Sequence, residues 1–183
     1  MNLEEYQDMI NHIPVNPFGI PTAQTWNQVG ALFDDINKFE VTLFVELGVY
    51  FGGLAEMMLI RQSLIDNFKY FGIQLDAAEL RLRIKDKIRI GDVLDPKIVQ
   101  EVSNLVSNNS GLAMIYCDAG NKPREMITYT PLLRLGDYIR VHDYPGETSP
   151  EFLAQYEKDF PYMIEIYKER NRELGFSMWR RVE

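Results

Sequence analysis

The chain has 183 residues, one cysteine and a net charge of −8, with 46% hydrophobic and 25% charged residues. This length fits one domain, residues 1–183, of ordinary globular composition. A single cysteine excludes an intramolecular disulfide and a cysteine metal cluster. The negative charge argues against a nucleic-acid partner, because such affinity comes mainly from lysine and arginine, so we expect a small-molecule substrate.

The N-terminal part of the chain, residues 1–40, is predicted to form a helical cap. Residues 1–12 are acidic and lack the basic and apolar segments of a secretory signal. No apolar run approaches the roughly 18 residues of a membrane span. Trp26, Leu32 and Ile36 recur at helical spacing after a proline-rich segment. We therefore expect a cytoplasmic protein without a membrane partner, with one or two helices over the ligand-binding edge of the sheet.

A strand, a tight turn and a helix start are predicted in the sequence VTLFVELGVYFGG of residues 41–53. The apolar run contains Glu46, and Gly48, Gly52 and Gly53 follow it. Glycine permits positive φ and lets a ligand approach bare backbone, where the N–H groups of a helix start favour an anionic or polar group. The segment predicts a nucleotide-type cofactor site. Its glycine spacing differs from the G-x-G-x-x-G of dinucleotide binders.

Four further apolar runs each end on a polar or acidic group. They end at Asp76, at Gly91-Asp92-Val93, at Asp118 and at His142-Asp143. The carboxyl ends of parallel strands lie on one edge of a sheet, which is where open α/β sheets bind ligands. Asp76 falls where such a sheet keeps the carboxylate that grips ribose hydroxyls.

Helical spacing separates these runs. Asp95 and Pro96 are typical of a helix cap and first helical residue, and Pro123 and Ser149-Pro150 mark two further starts. This alternation predicts an α/β fold with a parallel sheet and right-handed crossovers.

The C-terminal part, residues 147–183, is predicted to contain a helix and two closing strands. The strands are expected at residues 163–167 and 175–182, with residues 169–173 as the turn between them.

Residues 41–146 resemble the class I S-adenosylmethionine-dependent methyltransferases. The resemblance lies in VELGVYFGG, FGIQLD, IRIGDVLDP, IYCDAGNK and PLLRLGDYIRVHDY. Within this class, the sequence is similar to the branch typified by cephalosporin hydroxylase-like and macrocin O-methyltransferase-like proteins. The resemblance implies a Rossmann-like, doubly wound sheet of seven strands, mostly parallel with an antiparallel last strand, and a cofactor-binding core at 41–146.

The resemblance also implies roles for individual residues. Asp76 would hold the ribose hydroxyls, and Asp92 with Val93 would lie near the adenine, although a helix-capping role for Asp92 is the alternative. The complete implied set of S-adenosylmethionine-binding residues is Glu46, Gly48, Tyr50, Gly52, Gly53, Asp76, Asp92, Val93 and Asp118.

In this branch an acid after the fourth strand and two residues after the fifth often hold a divalent metal. The resemblance places Asp118, His142 and Asp143 at these positions, which suits Mg²⁺ through the carboxylates and Mn²⁺ or another metal through the histidine. Relatives commonly carry a histidine after the acid, whereas this chain has Asn121 and Lys122. Asp118, His142 and Lys122 are therefore the predicted catalytic residues, since an amide cannot act as a general base.

The sequence is consistent with three functions. The resemblance favours methyl transfer to an oxygen, less readily a nitrogen, of a small metabolite or sugar. A nicotinamide-dependent oxidoreductase is disfavoured by the glycine spacing, and a non-catalytic cofactor-binding module is the third reading. Because 183 residues leave little room for a capping domain, we expect residues 1–25 or a second subunit of a homo-oligomer to complete the pocket.

Overall fold

A computed structural model describes residues 22, 24–78, 80 and 84–183. The N-terminal elements predicted before residue 22 lie outside this part. The strands of the described residues are β1 (Val41–Leu47), β2 (Lys69–Gln74), β3 (Arg89–Ile90), β4 (Leu112–Cys117), β5 (Tyr138–His142), β6 (Met163–Glu165) and β7 (Phe176–Arg181). The α-helices are α1 (Trp26–Lys38), α2 (Gly53–Leu64), α3 (Pro96–Asn108), α4 (Lys122–Tyr129), α5 (Pro150–Asp159) and α6 (Lys168–Glu173).

The seven strands form one sheet in the order β3-β2-β1-β4-β5-β7-β6. The pairs among β1 to β5 are parallel. β7 runs antiparallel to both β5 and β6. The predicted fold class is therefore confirmed, including the antiparallel last strand. The chain order reverses beside β1, so the carboxyl ends of β1 and β4 open a crevice of the kind that binds ligands in doubly wound sheets.

Helices cover both faces of the sheet because side chains alternate along each strand. One face buries Val45, Ile115 and Val141 against α3, α4 and α5. The other face buries Phe44, Met114 and residues of α1 and α2. None of the helices in the described ranges is both long and apolar enough to cross a bilayer.

A buried ion pair anchors α1 to the sheet. The Arg140 guanidinium on β5 donates to Asp35 at 2.7 Å, and both side chains are 1% exposed. Arg170 on α6 donates to the same carboxylate at 2.7 Å. This network fixes the last turn of α1 on the sheet. Thr22 and Gln24, which precede the helix, line the cavity at the carboxyl edge of the sheet.

The predicted turn at residues 169–173 is wrong, because these residues lie in α6. The segment KERNRE carries no apolar periodicity, so no amphipathic pattern predicts a helix there. Its helical state depends on tertiary contacts: Arg172 pairs with Glu165, and Asn171 is buried and donates to the Ile166 carbonyl. Propensity and pattern are overridden by such contacts.

Candidate functional site

A cavity of about 810 Å³ lies at the carboxyl edge of the sheet, within the size range of small-molecule sites. It is lined by the turn after β1, the end of β2, the segment after β3 and the loops after β4 and β5. These are the loops that the alternation of strands and helices predicts for the ligand edge.

The turn after β1 requires glycine at two positions. Gly48 has φ of +92°, and a Cβ there would lie 2.5 Å from the Asp118 carbonyl oxygen. Gly52 has φ of +93°, and a Cβ there would lie 1.9 Å from the Ile84 side chain. The turn therefore packs against the loop after β4 and leads directly into Gly53, the first residue of α2.

Glu46 is a buried carboxyl group on the cavity wall. Only 1% of Glu46 is exposed, and the Tyr70 hydroxyl donates to its Oε2 at 2.5 Å. Burial raises the pKa of Glu46 well above its ordinary value, although the Tyr70 hydrogen bond opposes this shift. A ligand with a positively charged or hydrogen-bond-donating group beside Glu46 would favour the ionised form of this carboxyl group.

At the end of β2, Gln74 lines the cavity and Asp76 does not appear on its wall. The Gln74 Oε1 accepts from the backbone N–H groups of Val49 and Tyr50, both at 3.0 Å. Asp76 is exposed, and its Oδ1 accepts from the Ala78 N–H at 2.7 Å. The ribose-binding role of Asp76 stays a prediction, whereas Gln74 is a wall residue that sequence reasoning missed.

The segment after β3 contributes Asp92 and Val93 to the cavity wall. The Asp92 Oδ1 accepts from the Leu94 N–H at 2.8 Å, so one of its oxygens closes a local turn. Asp95 caps α3 by accepting from the Lys97 N–H at 2.8 Å, as its spacing from Pro96 predicts.

Asp118, His142 and Asp143 lie together at the ends of β4 and β5. The His142 Nδ1 lies 2.9 Å from the Asp143 Oδ1 and 3.3 Å from the Asp118 Oδ1. One potential ligand atom from each residue falls within 4.8 Å of the others. The His142 Nε2 is buried and has no hydrogen-bond partner among the described residues. The structure thus brings together the three residues for which the sequence predicts a metal site.

Lys122 is the second cationic group of this cluster. Its Nζ lies 2.9 Å from carboxylate oxygens of Asp143 and Glu147, 3.0 Å from the Ala119 carbonyl and 3.6 Å from Asp118 Oδ1. Only 4% of Lys122 is exposed. We call Asp118, Lys122, His142, Asp143 and Glu147 the charged cluster.

The pKa values of the cluster favour its charged histidine and lysine. Burial opposes the charge of His142, but hydrogen bonds to Asp118 and Asp143 outweigh it and raise the pKa of His142 to about 9. Burial also opposes the charge of Lys122, but hydrogen bonds to Asp143 and Glu147 outweigh it and raise the pKa of Lys122. The hydrogen bond from His142 lowers the pKa of Asp143, whereas burial raises that of Asp118.

Several wall residues were not found by sequence reasoning. Gln24 donates to the Asp118 Oδ2 at 2.5 Å from the segment before α1. Glu125 accepts from the backbone N–H groups of Ala119 and Asn121, and burial raises its pKa to about 7. No local motif marks Gln24 or Glu147. The capping-box motif does not mark Glu125 either, because Glu125 lies four residues after the N-cap Asn121 and the motif places its acid three residues after the cap.

No protein-family model matches the chain, and no curated protein sequence matches it. Among solved structures, CmcI in a complex named for Mg and SAM is similar with a TM-score of 0.70 and 18% identity, covering 100% of this chain and 85% of that one. A putative caffeoyl-CoA O-methyltransferase from Staphylococcus aureus has a TM-score of 0.60 and 13% identity, covering 98% and 90%.

The O-methyltransferase TomG from Streptomyces achromogenes, in complex with SAM, has a TM-score of 0.55 and 11% identity, covering 100% of both chains. TM-scores of this size show that the fold is shared, and the strand order agrees with it. The chain therefore has the Rossmann-like fold of the S-adenosylmethionine-dependent O-methyltransferases, as the resemblance in residues 41–146 implies.

Proposed function

We propose that this protein transfers the methyl group of S-adenosylmethionine to an oxygen of a small molecule. The observation that carries the proposal is that two different features line one cavity. The glycine turn and Glu46 line it together with Asp118, Lys122, Asp143 and Glu147 of the charged cluster. Structures of this fold that contain S-adenosylmethionine support the choice of cofactor.

The glycine turn and the residues near it suit the cofactor. Gly48 and Gly52 keep the turn open where a Cβ would collide with its neighbours. The buried Glu46 carboxyl offers an acceptor to a cationic amino group, and such a partner would lower its raised pKa. Asp92 and Val93 remain the proposed neighbours of the adenine, and the Tyr50 backbone is held by Gln74.

Bound S-adenosylmethionine supplies an electrophilic methyl carbon. A base of the chain would have to take up the proton of the acceptor hydroxyl as the methyl group is transferred. Asp118 fits that role, because it lines the cavity and burial raises the pKa of its carboxyl group. The raised pKa values of His142 and Lys122 keep both protonated at neutral pH, so they position Asp118 and are not bases in the resting site.

Most of the acceleration would come from alignment of acceptor, methyl carbon and sulfur, since orientation supplies up to ~7–11 kcal/mol. A metal at Asp118, His142 and Asp143 stays a prediction. Lys122 and His142 already contact the carboxylate oxygens that would bind such a metal.

Calorimetric titration with S-adenosylhomocysteine and with NADH tests the cofactor. We expect S-adenosylhomocysteine alone to bind and, at about 100 times its dissociation constant, to stabilise the folded state by about 2.7 kcal/mol in a melting experiment. Stabilisation by NADH instead would favour the oxidoreductase. Binding without methyl transfer to any member of a panel of hydroxylated small molecules would favour the non-catalytic module.

A further inference from the structure

The Lys122 ammonium is held as a bound cation would be held. Its three protons can serve three acceptors, and the Ala119 carbonyl, Asp143 and Glu147 supply these at 2.9–3.0 Å. Asp118 lies slightly farther away, at 3.6 Å. The ammonium group is therefore surrounded by oxygens from both the β4 and the β5 loops.

The backbone around Lys122 is fixed for this purpose. Lys122 is the first residue of α4, and the Asn121 side chain caps the helix by accepting from the Arg124 N–H. Glu125 holds the preceding loop by accepting from the backbone N–H groups of Ala119 and Asn121. These contacts direct the Ala119 carbonyl and the Lys122 side chain to the same point of the cavity wall.

Two of the carboxylates around Lys122, those of Asp118 and Asp143, are also predicted metal ligands. A divalent ion binds carboxylate oxygens at roughly 2.0–2.2 Å. Both oxygens of Asp143 already have partners: Lys122 lies 2.9 Å from the Asp143 Oδ2, and His142 lies 2.9 Å from the Asp143 Oδ1. The Asp118 Oδ2 accepts from Gln24. A metal ion would have to displace one of these groups and then remain within a few ångströms of a buried positive charge.

We propose that Lys122 is a built-in cation that takes the place of a divalent metal. It holds Asp118 and Asp143 in position beside the methyl acceptor, so that the site works without metal. Lys122 is thus a positioning residue. Its meaning for methyl transfer rests on the proposed function, whereas its occupation of the carboxylate cluster does not.

Direct Mn²⁺ binding, followed by electron paramagnetic resonance and calorimetry, tests this inference. The variants are Lys122→Met, which keeps an apolar stem but removes the charge, and the matched control Lys97→Met at an exposed position on α3. We expect the wild type and Lys97→Met to bind no stoichiometric Mn²⁺. Lys122→Met should bind one Mn²⁺ ion, with an affinity at least about tenfold above any weak binding by the wild type, because Asp118, Asp143 and Glu147 then lack their lysine counter-charge.

Stoichiometric Mn²⁺ binding by the wild type would overturn the inference, as would a folded Lys122→Met variant that binds no Mn²⁺. If Lys122→Met does not fold, the wild type still decides: a melting temperature or S-adenosylhomocysteine affinity that falls with chelator contradicts a built-in cation, and unchanged values support it. Failure of the wild type to bind S-adenosylhomocysteine would instead overturn the proposed function, while the Mn²⁺ titration still identifies the occupant of the cluster.

Discussion

Glu46 is a buried acid that we propose as a cofactor-binding group and whose ionised form costs stability. Its carboxyl group is almost fully removed from water, with the Tyr70 hydroxyl as its one side-chain hydrogen-bond donor among the described residues. Burial raises the pKa of Glu46 in the folded state, so the folded protein binds more protons than the unfolded chain. The contribution of Glu46 to stability is thus present at low pH and is lost as the pH rises from about 4.5 through the folded-state value.

Glu46→Gln is therefore expected to stabilise the ligand-free protein increasingly as the pH rises. The amide cannot ionise, so the variant avoids the cost of a buried carboxylate. The difference in melting temperature between the wild type and the variant, followed from about pH 5 to about pH 8, measures this stabilisation. A difference that shrinks with pH would contradict the prediction. The same variant should weaken S-adenosylhomocysteine binding, because it removes the proposed acceptor for the amino group.

At the end of β2, the residue predicted to bind the cofactor and the residue that lines the cavity differ: Asp76 was predicted, and Gln74 lines the cavity. Asp76 follows a predicted strand and suits ribose hydroxyls, but β2 ends at Gln74 and Asp76 is turned to the Ala78 N–H. We expect Gln74→Ala to weaken S-adenosylhomocysteine binding more than Asp76→Ala, since Gln74 lines the cavity and also fixes the Val49 and Tyr50 N–H groups. Calorimetric titration compares the two. A greater loss with Asp76→Ala would instead support the sequence-based assignment.

Among the elements, those with local signals were predicted correctly. Asp95-Pro96 begins α3, Ser149 caps α5, and the run of residues 112–117 is β4. β3 was predicted as the run before Gly91 and is present, but it is only two residues long because Lys85–Lys87 forms a 3₁₀ turn. α6, where a turn was predicted, lacks a local signal, because it depends on ion pairs with Glu165 and Asp35 that no sequence pattern marks.

The attachment of α1 to the sheet is open to a stability test. Asp35→Ala would leave the buried Arg140 charge without its carboxylate, which is expected to cost ~3–5 kcal/mol. The matched control is Asp34→Ala at the exposed neighbouring position, which should change stability by less than about 0.5 kcal/mol. Urea unfolding measures both. Equal effects of the two substitutions would show that the ion pair does not anchor α1.

On the scale of the whole molecule, topology assembles the site from parts that are distant in the chain. The sequence marks Glu46, Asp118 and His142-Asp143 separately, and the parallel order of β1, β4 and β5 brings them to one edge. Side-chain partners at that edge could not be predicted. Lys122 reaches Glu147 across 25 positions and Gln24 reaches Asp118 across 94, without any spacing rule in the sequence.

The charge distribution of the whole molecule predicts no appreciable binding to duplex nucleic acid at physiological salt. The net charge is −8, and basic residues of the α6–β7 region are engaged locally: Arg170 and Arg172 pair with acids, and the Arg180 and Arg181 guanidinium groups lie over tyrosine rings. Binding to duplex DNA depends on counterion release by free cations. Fluorescence anisotropy with a labelled duplex, titrated at two salt concentrations, measures this. Micromolar affinity with a steep salt dependence would contradict the proposed small-molecule substrate, because it would require many lysine and arginine side chains free to displace counterions.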